Sequence, residues 1–159
     1  FSFGQLPIRM IEEFVAHARE HLPDEVAGAL IYSRSTGRLR LAICEAERAS
    51  PVRIDYRRPP MASDETVAVD LHTHGHGPAF WSADDDRDDQ GIKVAGVFGL
   101  LDQPAPVACF RLVINGLYKS LPHHPWQGPL ALASMPDAGE PGAGRDGWVL
   151  RLVRRWHSA

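Results

Sequence analysis

The sequence has few cysteines and no long apolar run. Its two cysteines, Cys44 and Cys109, lie far apart and form no CxxC pair, which excludes a zinc ribbon and a disulfide framework. No stretch of about 18 apolar residues is present, and the N-terminus lacks the basic and apolar order of a signal peptide. We therefore expect a cytoplasmic protein with no membrane segment.

A concentrated positive charge is also missing. The 17 Lys and Arg residues are outnumbered by 20 Asp and Glu, and they form no long cluster. Nucleic acid is thus not expected as a partner, because phosphate binding needs a concentrated basic surface. A hydrophobic content of 44% in 159 residues predicts one domain over residues 1–159. The chain begins with Phe1, as expected of a processed or excised piece of a longer protein.

The hydrophobic pattern predicts a mixture of helices and strands. Apolar residues at helical spacing predict an amphipathic helix over 6–22, and residues 26–48 read as a hairpin with a turn at 34–37. An apolar strand is expected at 66–74, followed by a short helix from Ser82 to Gly91. The other expected strands are 52–56, 92–101, 105–115 and 117–121. This order predicts an α+β or α/β fold.

The last forty residues carry a weaker pattern. Residues 122–147 are rich in proline and glycine and are expected to form loops, with His123 and His124 in an exposed turn. Residues 148–157 read as an amphipathic C-terminal helix, with a strand as the alternative. The compact core is expected within about 6–120.

Histidines and acids are concentrated in residues 71–86, LHTHGHGPAFWSADDD. At the end of a strand, His72 and His74 point to the same side because side chains alternate. A catalytic zinc usually takes three protein ligands and leaves one position for water. The two histidines therefore need a third ligand, which a carboxylate can provide. The acidic run after Ser82 can supply it.

The spacing of these residues resembles a known signature. His72-Thr73-His74, seven residues, Ser82, two residues and Asp85 match the H-[ST]-H-x7-S-x2-D motif of the JAB1/MPN metalloprotease family, known as the JAMM motif. From composition alone, about 0.002 such matches are expected in the chain. Upstream, Glu25 stands in PDEVAGAL, which resembles the family's P-x-E-x-C-G-x-L segment.

The resemblance, which covers about residues 6–120, carries expectations about fold and chemistry. It implies a cytidine-deaminase-like mixed sheet flanked by helices, and a zinc ion bound by His72, His74 and Asp85. Glu25 would be the general base, and Ser82 would help to stabilise the tetrahedral intermediate. Relatives cut after the tails of ubiquitin or ubiquitin-like proteins, often at isopeptide bonds. A narrower resemblance is to the PRTRC system protein A group, which implies a ThiF-like activating-enzyme system as a partner.

The chain departs from the family pattern at several positions. Gly75 and Trp81 stand where many members have proline, and Ala27 stands where cysteine is frequent. His76 has no counterpart in the signature, and it could contact substrate, bind a second metal weakly or have no role. Phe80 and Trp81 could belong to the core or line a substrate groove next to the metal.

Each candidate also has an ordinary structural interpretation. The two histidines of the motif could be partly buried and hydrogen-bonded, and Glu25 could be a surface residue near a helix end. Ser82 and Asp85 also form a capping-box pattern, which is compatible with the metal role. The neighbouring acids are expected on a solvated face, as is usual in the first turn of a helix; they are Asp84, Asp86, Asp88 and Asp89.

Three other functions compete with the peptidase. His72, His74 and His76 mimic the HxHxH of histidine-triad nucleotide hydrolases, but the intervening Thr and Gly do not fit that motif. Zinc nucleobase deaminases are excluded because they need H-x-E and a later P-C-x-x-C. A catalytically silent MPN-type scaffold that binds partners stays open, although silent relatives typically lose ligands and this chain keeps all five motif residues. For an active enzyme we expect an extended substrate tail to dock as an added strand beside the loop 75–81.

Overall fold

A computed structural model describes residues 3–122, together with the backbone of residues 126–127 and 150–151. The two helices of this part are α1 (Ile8–Glu20) and α2 (Ala83–Asp88). The strands are β1 (Leu6–Pro7), β2 (Ala27–Ser33), β3 (Arg38–Ile43), β4 (Glu45–Ser50), β5 (Arg53–Arg57), β6 (Glu65–Thr73), β7 (Ile92–Gly99), β8 (Val107–Ile114), β9 (Leu117–Ser120), β10 (Trp126–Gln127) and β11 (Leu150–Arg151).

A mixed sheet of seven strands organises the fold. Its order is β11–β8–β7–β6–β2–β3, with β9 also paired to β8. β6 and β7 run parallel, whereas the other pairs of this sheet are antiparallel. β4 and β5 form a separate antiparallel hairpin, and β1 pairs in parallel with β10. The expected α+β class with a mixed sheet is confirmed.

One face of the sheet carries the main core. In β6, Val69 and Leu71 face α1 and are almost fully buried. Ile11 and Phe14 of α1 are 0% exposed, and burying each such side chain contributes about 1.5–3 kcal/mol. The Phe14 ring meets Phe98 of β7 edge-on, with centroids 5.6 Å apart. The apolar stripe of α1 therefore fixes this helix against the sheet.

The opposite face of the sheet is more polar. Because side chains alternate along a strand, Asp70 and His72 of β6 point away from the α1 core. On the same face, Val97, Val107 and Cys109 form a small apolar cluster with Ala79. The site described below lies on this face.

The expected element boundaries differ from the observed ones in a few places. The second helix ends at Asp88 rather than Gly91, and residues 26–48 contain the start of a third strand, β4. β10 lies within 122–147, a segment expected to be loops. β11 is the described part of 148–157; the rest of that segment, and the turn at His123 and His124, lie outside the described residues.

The described helices are short. α1 has 13 residues and α2 has six. Neither is long and apolar enough to cross a membrane.

Candidate metal centre

The pairing of β2 with β6 brings two distant segments of the chain together. Ala27 lies opposite His72 in the antiparallel register. One residue further along, the Val26 amide donates to Thr73 Oγ1 at 2.9 Å, and the Thr73 amide donates to the Val26 carbonyl at 3.0 Å. Glu25, the next residue, therefore emerges beside the end of β6, where the two histidines stand.

Backbone contacts of the following loop hold His74 in place. Its amide donates to the Phe98 carbonyl at 2.8 Å, and its ring Nδ1 donates to the Pro78 carbonyl at 3.1 Å. A carbonyl can only accept, so Nδ1 carries the proton and a neutral ring presents a bare Nε2. This is the usual arrangement of an imidazole metal ligand, whose second nitrogen is hydrogen-bonded.

Gly75 explains one departure from the family pattern. Its φ is +51°, in the left-handed region, and an added Cβ would lie 2.6 Å from the Pro23 carbonyl oxygen. Proline, which requires φ near −65°, does not fit this backbone. The loop is instead fastened by its own hydrogen bonds, because the amides of Leu101 and Leu100 donate to the carbonyls of Gly75 and Gly77.

Ser82 and Asp85 form a complete capping box at the start of α2. The Asp85 amide donates to Ser82 Oγ at 3.1 Å, while the Ser82 amide and hydroxyl both donate to Asp85 Oδ2 at 2.7 Å. Oδ2 is thus satisfied within the turn. The other oxygen, Oδ1, points to His72 Nε2 at 3.1 Å.

His72, His74 and Asp85 are gathered as a possible ligand set. One ligand atom from each lies within 4.8 Å of the others, and this is the one such group found in the described part of the chain. His72 Nε2 is buried and, despite its nearness to Asp85, has no partner in hydrogen-bond geometry. Zinc bonds of about 2.0–2.2 Å in a tetrahedron place ligand atoms roughly 3.3 Å apart, so the 3.1 Å contact suits a shared cation.

The electrostatics of the cluster also fit a cation. Burial acts to lower the pKa of His72, but Asp85, Glu25 and Asp70 outweigh it and the pKa is raised. Burial alone would raise the pKa of Asp85, yet the contacts with His72 and Ser82 hold it well below its usual value. The pKa of His74 is lowered by burial and by the charge of His72.

Glu25 faces the same cluster without belonging to it. Its side chain lines the cleft that His72 and His74 also line, and the residue is 7% exposed. Its amide donates to the Ser50 carbonyl at 3.0 Å, which attaches this junction to β4. Burial, reinforced by the charge of Asp85 and partly offset by His72, raises the pKa of Glu25 to about 7.

An open cleft of about 470 Å³ leads to these residues. The turn between β4 and β5 forms one wall, and α2 forms the other. Phe80 is 49% exposed at the cleft, with its ring centroid 4.6 Å from that of His74. Trp81 instead packs against the Arg111 guanidinium, so the two aromatic residues have different surroundings.

One expectation about the acidic run is wrong. Asp89 is not on a solvated face but is 8% exposed. It accepts hydrogen bonds from Arg111 and forms an ion pair with Lys93. Asp86 is half-exposed and also pairs with Arg111. Asp84 and Asp88 are exposed, as expected.

Sequence reasoning did not single out Lys93 and Arg111. Both are buried, at 7% and 3% exposure. The available signal was a single basic residue inside each of two apolar strands, IKVAGVFG and VACFRLVI. His76, by contrast, does not line the cleft; its side chain is 55% exposed and lies 3.6 Å from Asp102.

Comparison with known proteins agrees with this architecture. Residues 7–113 match the family described as prokaryotic homologs of the JAB domain. The fold is similar to the solution structure of protein DSY2949 from Desulfitobacterium hafniense, with a TM-score of 0.55 and 21% identity over 73% of this chain and 88% of that one. At this identity the likeness supports the fold alone. No curated protein matches the sequence.

Proposed function

Because the chain belongs to the family of prokaryotic homologs of the JAB domain, we propose that it is a JAMM-type zinc metallopeptidase. The observation that carries this proposal is the meeting of two distant segments on one cleft. His72, His74 and Asp85 present a ligand set there, and Glu25 faces it from the junction that precedes β2.

The donor set suits zinc in a catalytic setting. Two imidazoles and one carboxylate would hold the ion and leave a fourth position open. The buried, unpartnered Nε2 of His72 supports this assignment, since a buried polar atom normally has a partner. When bound, zinc would polarise the scissile carbonyl and lower the pKa of a water molecule.

Glu25 is proposed as the general base. Its carboxylate would take a proton from the attacking water and pass it to the leaving amine. Burial favours this role because it strengthens the carboxylate as a base, and it places the pKa near 7 before a cation is added. A nearby cation would lower that pKa and keep Glu25 ready to accept a proton.

Ser82 is proposed to donate to the developing oxyanion. Its hydroxyl proton is directed at Asp85 Oδ2, so this role needs a rotation of the hydroxyl. The Ser82 amide would continue to hold the carboxylate during that rotation. Ser82 would therefore serve both the ligand and the substrate.

The proposed substrate is the tail of a ubiquitin-like protein or a related peptide, cut at a peptide or isopeptide bond. An extended tail could add to the edge of β5, which pairs with β4 alone among the described strands and lies along the cleft. Phe80 would then contact the tail next to the metal. A ThiF-like activating-enzyme system is the proposed partner, since it would handle the same tail.

The experiment measures zinc content and hydrolysis in the same preparations. We expect one zinc per chain, and cleavage of a tail peptide joined to lysine through an isopeptide bond. Asp85→Asn should bind zinc far more weakly than wild type, so that it is purified without the metal, whereas the exposed neighbour Asp84→Asn should keep it; the reverse result would refute the ligand assignment. His74→Ala should lose both zinc and activity. Zinc binding without cleavage of any tail substrate would instead favour the silent scaffold.

A further inference from the structure

The helix that carries Asp85 is not attached to the fold by buried apolar side chains of its own. α2 spans six residues, none of which is buried. A helix this short is not stable alone, so contacts with the rest of the fold must hold it. The capping box orders its first turn but does not attach it to the sheet.

Arg111 makes that attachment from β8. Its Nη1 donates to Asp86 at 2.6 Å, while Nε and Nη2 donate to Asp89 Oδ2 at 3.1 and 2.7 Å. The guanidinium carbon also lies over two aromatic rings, 3.9 Å from the centroid of Trp81 and 4.1 Å from that of Tyr118. One buried side chain thus contacts the residue before the N-cap, the helix itself and the C-cap.

Lys93 extends the contact to the histidine-bearing strand. Its ammonium lies 2.9 Å from Asp89 and 2.6 Å from Asp70. Asp70 stands two residues before His72 and on the same face of β6. A buried series of ion pairs, with charges that alternate in sign, therefore joins α2 to the strand that carries His72.

We propose that Arg111 is a positioning residue that holds α2 so that Asp85 faces the two histidines. The proposal rests on the metal site proposed above. A buried ion pair often adds little to stability compared with apolar packing, so stability alone does not account for this network. The guanidinium fork and its flat stacking faces fix the direction of α2 in a way that a lysine cannot.

The test is a double-mutant cycle on zinc affinity, measured by competition with a chelator. Arg111→Met should raise the zinc Kd by about 10- to 100-fold, the usual effect of losing a residue that orients a ligand. In the Asp85→Asn background, where His72 and His74 still bind zinc weakly, the same substitution should change that weaker Kd little, because α2 then carries no carboxylate ligand. Arg111→Lys should fall between wild type and Arg111→Met. Arg34→Met, which removes an exposed arginine of the β2–β3 turn, should have no effect.

Two results would overturn the inference: a wild-type Kd in Arg111→Met, or an equal loss of affinity in both backgrounds, which indicates a general structural role. If Arg111→Met does not fold, Arg111→Lys takes its place in the same cycle. Failure of the wild type to bind zinc, or an unchanged Kd in Asp85→Asn, would refute the proposed metal site instead.

Discussion

Replacing the proposed base should stabilise the protein and remove most of its activity. Glu25 is 7% exposed, and burial raises its pKa from 4.5 to about 7. The unfolded chain therefore releases this proton at a lower pH than the folded protein does. Below about pH 4.5, Glu25 is protonated in both the folded and the unfolded chain and does not change the free energy of unfolding. As the pH rises, ionisation of the buried carboxyl increasingly destabilises the folded state, and this destabilisation is complete above about pH 7.

The size of the effect follows from the shift. A difference of about 2.5 pKa units corresponds to at most about 3.4 kcal/mol, and relaxation of the site reduces the expected gain to roughly 1–3 kcal/mol. Glu25→Gln removes the charge and keeps the shape. For a chain of this length, that gain should raise Tm by about 2–10 °C at pH 8, with little change at pH 4.5.

The assay is thermal unfolding in excess EDTA at the two pH values. Glu12→Gln, an exposed position on α1, is the matched control and should show no such pH-dependent gain. In preparations loaded with zinc, Glu25→Gln should retain the metal and lose activity by about a hundredfold or more. A Glu25→Gln protein that is no more stable than wild type at pH 8 would refute the burial argument. Activity near wild type would refute its role as base.

Three further predictions concern the loop, the thiols and the cleft. Gly75→Ala should lower the free energy of unfolding, measured in urea, by about 1–3 kcal/mol or more. The loss should exceed that of Gly37→Ala, because both glycines have positive φ but only at Gly75 would the added Cβ meet a carbonyl oxygen; equal losses would contradict the clash. Cys44 and Cys109 should react with iodoacetamide at pH 8 only after unfolding, because burial raises the pKa of each to about 11; rapid labelling of the folded protein would be contrary evidence. Phe80→Ala should raise KM for a tail peptide without loss of zinc, and an unchanged KM would remove Phe80 from the substrate path.

Local sequence information was sufficient for the parts of the site that depend on short-range geometry. Alternation in β6 places His72 and Asp70 on one face. The Ser82 to Asp85 spacing forms a capping box, because N3 lies three positions after the N-cap in a helix. The strands and the helix α1 around these residues were also predictable, because their apolar residues recur with a clear period. The C-terminal boundary of α2 was not predictable.

Only the tertiary structure decided which distant residues meet. Apart from the resemblance of its segment to the family's P-x-E-x-C-G-x-L, Glu25 has the sequence context of a surface residue near a helix end. The antiparallel register of β2 with β6 places it beside the histidines. Likewise, Asp89 has the sequence context of a solvated acid, yet it is buried because Arg111 and Lys93 reach it from β8 and β7. Strand pairing and buried ion pairs join residues far apart in the chain, so their partners are determined by the packing of the whole sheet and not by neighbouring residues.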